Sequence, residues 1–205
     1  MSSGRIKNLA PILIGMDPDD IDFLLESYNV KDEVRTGWLF KGVKDPESVA
    51  SHVWGVKFLC LLYADEEDVD EGKAVKMAVV QDLPEAKTGD LVSEKHADRY
   101  ERTDEKKEEL EREAIHELPP ENRFEEVMEL WEEYQERETK TSRFVKDMDM
   151  IDMCLQALKY KKEDRSDGQK DLDEFFSYTE PRLNTETGRE LFSEVRKRFS
   201  HEGSG

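Results

Sequence analysis

At 205 residues the chain is long enough to bury one full hydrophobic core, with or without an added tail. Its 50 Asp and Glu against 31 Lys and Arg leave a formal charge of −19, with the acids spread along the whole length. A surface of that sign offers no basic groove to a phosphate backbone and is repelled by anionic lipid, which excludes nucleic acid and membranes as partners. A dense acidic coat fits work in a very salty cytoplasm, where screening removes self-repulsion, and it also fits an ordinary acidic soluble protein.

The apolar run from Leu9 to Gly15 is too short to span a bilayer and carries no cleavage pattern, so a cytoplasmic location is expected. From about Pro18, behind Asp17 as N-cap, a first helix is predicted with Ile21, Leu24, Leu25 and Tyr28 on its apolar face. Asp45-Pro46-Glu47 reads as the start of a second, with proline at its first position and an acidic first turn. That helix directs Val49, His52, Val53, Val56, Leu59, Cys60 and Tyr63 inward. After the acidic link from Asp65 to Asp70, the run Ala74 to Val80 is apolar on nearly every side and predicts a helix buried all round.

Gln81-Asp82 closes that run, and burying an amide and a carboxylate there costs several kcal/mol, in order of magnitude, without partners. Residues 97 to 117 are densely charged, with Glu-Lys pairs at helical spacing, and read as a solvated helix ended by Pro119-Pro120. The next helix sets Phe124, Val127, Met128, Trp131 and Tyr134 on one face. Another follows Thr139, with Phe144, Met148, Ile151, Leu155 and Leu158 in one stripe. Beyond a break at Gly168, Leu172, Phe175 and Phe176, then Leu191, Phe192, Val195 and Phe199, predict two short helices and a frayed tail from His201. Cys60 and Cys154 lie in apolar helical stretches and read as packed thiols. His96, His116 and His201 lie in charged or terminal segments and receive no role. The fold class is all-α: a helical bundle with an arm at 1–16, a core at 17–165 and a helical extension at 166–205.

His52, Asp82 and Asp149 are ligand-type side chains on three different helices. A lone histidine on an apolar face is more often a satisfied core residue, and a mid-helix aspartate is commonly a solvated edge. Together the three suggest an interhelical divalent-metal site of the kind that bundles build. Oxygen and nitrogen ligands of this hardness favour manganese, cobalt, iron, zinc or magnesium over copper(I).

Five segments then match a known pattern in order: Arg35-Thr36-Gly37-Trp38; Glu47 through His52; Asp82-Leu83-Pro84-Glu85 with Thr88-Gly89-Asp90; Met128 through Tyr134; and Phe144 through Asp149, running on into Gln156-Ala157-Leu158-Lys159-Tyr160. In these the chain resembles the HD-domain phosphohydrolases, in the branch of the 5′-deoxynucleotidases and HD-domain-containing 2-type proteins. The resemblance implies one divalent metal ion held by His52, the position of Gln81, Asp82 and Asp149. The spacing to Gln156-Ala157 selects Asp149 over Asp147. It also implies Glu85 as catalytic glutamate, Asp90 as a catalytic and substrate-site aspartate, and Arg35 and Trp38 as phosphate and sugar contacts. The implied activity is hydrolysis of deoxyribonucleoside 5′-monophosphates, and the implied assembly is a homodimer. Trp38 has a plain alternative as a core tryptophan, and Arg35 as a surface partner for nearby acids.

The departure is Gln81, which stands where the family's metal-binding histidine is expected. Its carbonyl oxygen has similar reach but is a neutral and weaker ligand than imidazole. Three accounts remain open: an introduced substitution, a natural pseudoenzyme serving as a nucleotide-binding or interaction module, or an active enzyme that tolerates glutamine.

Overall fold

The computed structural model describes residues 17–91, 104–120, 124–166 and 172–202. Gly168, the segment 97–103 and the tail beyond 202 lie outside the described residues. The described chain is helical throughout, apart from turns and one isolated antiparallel bridge between Val34 and Ser48.

Helix α1 (Pro18–Ser27) starts where a capping box and a first-turn proline put it, with Asp17 accepting from the Asp19 amide and Asp20 reaching back to Asp17. Its inward residue is Phe23, however, while Ile21, Leu24, Leu25 and Tyr28 stay exposed. Phe23 stacks on Phe124 at 5.3 Å.

A 3-10 turn (Tyr28–Lys31) leads to the short α2 (Thr36–Phe40). Helix α3 (Val49–Tyr63) begins at a Ser48 N-cap, three residues beyond the expected Asp45 start. The reason lies in backbone accounting. Residues 47 to 49 are committed to the Arg35 loop and to a later helix: the Arg35 amide donates to the Glu47 carbonyl, the Val49 amide to the Glu33 carbonyl, and the Glu47 amide to the Tyr160 hydroxyl. This bridge ties the Arg35 loop to the N-terminus of α3.

Helix α4 (Glu71–Val80) is capped by Asp70. It buries Ala74, Met77, Ala78 and Val80 but leaves Lys76 and Val79 exposed, so it is a one-sided helix rather than one buried all round. The chain then turns through Gln81 to Pro84 into α5 (Glu85–Thr88). Helix α6 (Asp104–Glu117) is charged outside, yet Glu111, Ala114, Ile115 and Leu118 are buried.

Helices α7 (Glu125–Glu136) and α8 (Lys140–Lys162) follow, the latter capped by Thr139. Helix α8 is the axis of the molecule: α3, α4, α7, α9 (Asp173–Thr179) and α10 (Glu186–His201) all pack on it. Phe144, Met148, Ile151 and Leu158 are buried in it as the stripe requires, whereas Leu155 is partly exposed and Cys154 takes its place. Both cysteines are buried free thiols. Helix α10 runs through His201, longer than the short helix expected. None of the described helices is long and apolar enough to cross a membrane.

Asp147 is fully buried and faces α10, not the loops at the head of α3. It accepts from the Asn184 and Thr185 amides (2.9 and 2.7 Å) and from Thr185 Oγ1 (2.7 Å), closing the turn before α10. A side chain at Gly188 would put its Cβ 2.5 Å from Asp147 Oδ2, so glycine is required at that contact. Asp147→Ala strands these buried donors and is expected to cost about 2–4 kcal/mol in urea unfolding, with metal affinity retained.

Candidate metal and phosphate site

His52 lies one turn into α3, 1% exposed. Its ring is gripped from both sides by carboxylates. Nδ1 donates to Asp152 Oδ2 at 2.7 Å, and Nε2 faces Asp149 Oδ1 at 2.9 Å and Asp82 Oδ2 at 3.5 Å. Asp149 and Asp152 are three residues apart on α8, hence on one face of that helix. Burial and the nearby Arg35 depress the imidazole, but the bonds to Asp149 and Asp152 outweigh them and push it up to about 10. In this state the ring is an imidazolium between two carboxylates.

The second oxygen of Asp149 is also engaged, accepting from the Tyr134 hydroxyl at 3.0 Å and from Lys146 Nζ at 2.6 Å. Burial opposes the Asp149 charge, yet Lys146 and His52 hold the carboxyl well below its usual range. Burial likewise opposes the charge of Lys146, and Asp149 more than restores it.

The Arg35 loop closes the other flank. Arg35 Nη1 lies 3.4 Å from Asp90 Oδ1 and 3.8 Å from Asp82 Oδ2. Asp90 is fixed in turn, its Oδ2 accepting from the Thr36 amide and its own amide donating to Glu33 Oε1 at 3.1 Å. Gly89, at φ 72°, makes the turn that brings Asp90 there. Burial raises the Asp90 carboxyl, but Arg35, Lys107 and the Thr36 amide together hold it below its ordinary value. Glu85 is 3% exposed. Burial, then the charges of Asp82 and Asp90, drive its carboxyl well above the usual carboxylate range.

Two sides of His52 offer ligand atoms. Glu47, His52 and Asp152 each present one, all within 4.8 Å of one another. On that side the polar groups are matched, since Asp152 takes Nδ1 and Glu47 Oε1 accepts from Trp38 Nε1 at 3.0 Å. On the Nε2 side, Asp82 Oδ2 is buried with no hydrogen-bond partner; Glu85 Oε2 and both amide atoms of Gln81, the residue beside Asp82, are likewise buried and unpartnered. Each such group costs about 1–3 kcal/mol, and the oxygens among them are of the type that ligates a cation. The Nε2 side therefore fits a metal ion, and the Nδ1 side orients the ring, as carboxylates do behind metal-binding histidines.

A profile of the HD domain matches residues 28–189, well over half of the chain. The chain belongs to the HD-domain family. It is a phosphohydrolase of that family related to the 5′-deoxynucleotidases. It is 32% identical to 5′-deoxynucleotidase HDDC2 of Xenopus laevis over 71% of this chain and 70% of that protein. The human protein of the same name is 30% identical over 85% of this chain and 83% of its own length. Among solved structures, a conserved hypothetical protein from Pyrococcus furiosus superposes with a TM-score of 0.70 at 35% identity, covering 86% of this chain and 99% of that one.

Within the HD fold, His52, Asp82 and Asp149 come together, with Arg35, Asp90 and Glu85 around them. Gln81 ends α4 beside Asp82, 2% exposed. Trp38 requires a correction. It is 2% exposed, edge-on to Tyr160 at 5.1 Å and 4.3 Å from Phe175, so it is a core tryptophan without surface to offer a sugar. Sequence reasoning missed Asp152, Tyr134, Lys146 and Glu47. The available signals were helical spacing from Asp149 to Lys146 and Asp152, and the place of Glu47 within a matched segment.

One residue shows how tightly α3 and α8 approach. A Cβ at Gly55, three residues after His52, would fall 1.9 Å from Asp152 Oδ1. Gly55→Ala must push the Asp152 carboxylate off Nδ1. The expected loss is about 10- to 100-fold in manganese affinity by calorimetry, with little loss in unfolding free energy because alanine favours the helix. Unchanged affinity would remove Asp152 from the site.

Proposed function

We propose that the chain is a metal-dependent 5′-deoxynucleotidase that hydrolyses deoxyribonucleoside 5′-monophosphates to deoxynucleoside and phosphate. The observation that carries this reading is the convergence of Asp82 and Asp149 on one imidazole nitrogen, among buried polar atoms that lack partners, with a guanidinium alongside. The relatives named 5′-deoxynucleotidases support the substrate class.

In this reading His52 Nε2, the carboxylates of Asp82 and Asp149 and the carbonyl oxygen of Gln81 hold one divalent ion: manganese, cobalt, iron, zinc or magnesium. Bound there, such an ion acidifies a water and polarises a phosphoryl oxygen. His52 must then be neutral, with its remaining proton on Nδ1 and directed at Asp152. Arg35 grips the phosphate through its planar fork, which Asp90 keeps in place. The chain's overall charge repels nucleotides, so this local capture is required. Glu85, whose carboxyl is pushed upward by burial and the charges of Asp82 and Asp90, donates a proton to the leaving 5′-oxygen, and Asp90 acts through Arg35.

Protein stripped with EDTA and reloaded with each metal in turn should release phosphate from dAMP only when loaded. Asp149→Ala should abolish that release. A metal-replete sample that releases phosphate from no deoxynucleotide would leave a binding or interaction module as the function. Gln81→His tests the departure directly. The variant is expected to bind manganese at least about tenfold more tightly, since imidazole is the stronger ligand, and to gain activity at limiting metal. Equal affinity in the two proteins would mean that residue 81 is not a ligand.

A further inference from the structure

The two carboxylates that face His52 Nε2 are each backed by one cation. Arg35 stands behind Asp82 at 3.8 Å and Lys146 behind Asp149 at 2.6 Å. The cations come from separate elements, Arg35 from the loop before α2 and Lys146 from α8. We propose that Lys146 is a second phosphate-binding residue, which with Arg35 brackets the phosphoryl group of the nucleotide. The inference rests on the nucleotidase reading above.

Three observations carry it. First, Lys146 is placed to reach outward: its side chain is 31% exposed, against 13% for Asp149. Second, Asp149 Oδ2 has two donors of different character. Tyr134 is rigid and 3% exposed, with its hydroxyl at 3.0 Å, whereas Lys146 is a flexible four-carbon stem. Tyr134 alone keeps that oxygen satisfied when the ammonium swings away. Third, the charge balance changes on loading. A divalent ion held by His52, Asp82 and Asp149 neutralises Asp149 and weakens its hold on Lys146, while a phosphate dianion nearby strengthens the competing attraction.

Of the other cations near these residues, Lys107 pairs with Glu111 at 3.4 Å, Lys73 pairs with Glu133 at 2.7 Å, and Arg137 lies over the Tyr134 ring at 3.5 Å. Arg35 by itself brings one charge to a dianion, in a site lined by carboxylates.

The bland alternative is that Lys146 only neutralises and steadies Asp149. Manganese-loaded full-length protein separates the two when Lys146→Met and Lys146→Arg are compared with the parent. Manganese affinity and the binding of inorganic phosphate to the loaded protein are both measured by calorimetry, with KM and kcat for dAMP alongside. Lys146→Met is expected to weaken phosphate at least about tenfold, the scale of one charged hydrogen bond, and to raise KM more than it lowers kcat. Its manganese affinity should equal or exceed the parent's, because a competing cation is gone. Lys146→Arg should recover most of the phosphate affinity. Phosphate binding within about twofold of the parent would overturn the proposal. So would a phosphate loss matched by an equal loss of manganese affinity, or a loaded parent that binds no phosphate. Phosphate binding that depends on Lys146 in a parent that hydrolyses no nucleotide would uphold this role and overturn the nucleotidase reading instead.

Discussion

The clasp of His52 between Asp149 and Asp152 is the interaction on which the site depends. A buried imidazole is stable in one orientation only when both nitrogens are answered. Here both answers come from a single face of α8, so the ring locks α3 to the central helix while it is being aimed. Gly55 allows the approach, because any larger residue would occupy the space of the Asp152 carboxylate. Asp82 and Gln81 arrive from the end of α4, which packs on both α3 and α8. Three helices thus meet at one nitrogen atom.

Such a concentration of acids is costly unless cations answer it. Around Asp82, Glu85, Asp90, Asp149 and Asp152, positive charge comes from Arg35, His52, Lys107 and Lys146. The response is uneven. Asp149 and Asp90, with cations close by, are held ionised, while Glu85, buried behind its neighbours, is driven toward the neutral acid. Carboxyl groups pushed in opposite directions within one small space are what acid–base work on a phosphate ester requires.

Asp147 and Asp149 show how helical geometry divides labour. They are two residues apart on α8 and so point to different sides. Asp147 holds the turn that starts α10, with four donors on its carboxylate. Asp149 faces α3 and α7 and belongs to the candidate site. Trp38 belongs with the first group: wedged between Tyr160 and Phe175, it anchors the helix that follows the Arg35 loop.

Local chemistry made much of this legible in the residues alone. The cap at Asp17, the helix start after Thr139, the proline stop after α6 and, but for Leu155, the apolar stripe of α8 depend on neighbours within a few positions, and the structure places them there. The ordered segments around Arg35, His52, Asp82, Glu85 and Asp149 pointed to the family for the same reason, since each is read along the chain. What depended on distant partners was not legible. The start of α3 moved because its backbone pairs with residues 33 and 35. The face of α1 turned because Phe23 stacks on Phe124. Asp152, Lys146 and Tyr134 entered the site because α3, α7 and α8 cross beside His52, and Trp38 left it because Tyr160 and Phe175 enclose it. Spacing along a helix determines which residues share a face, and only the packing of that helix against others decides what the face meets.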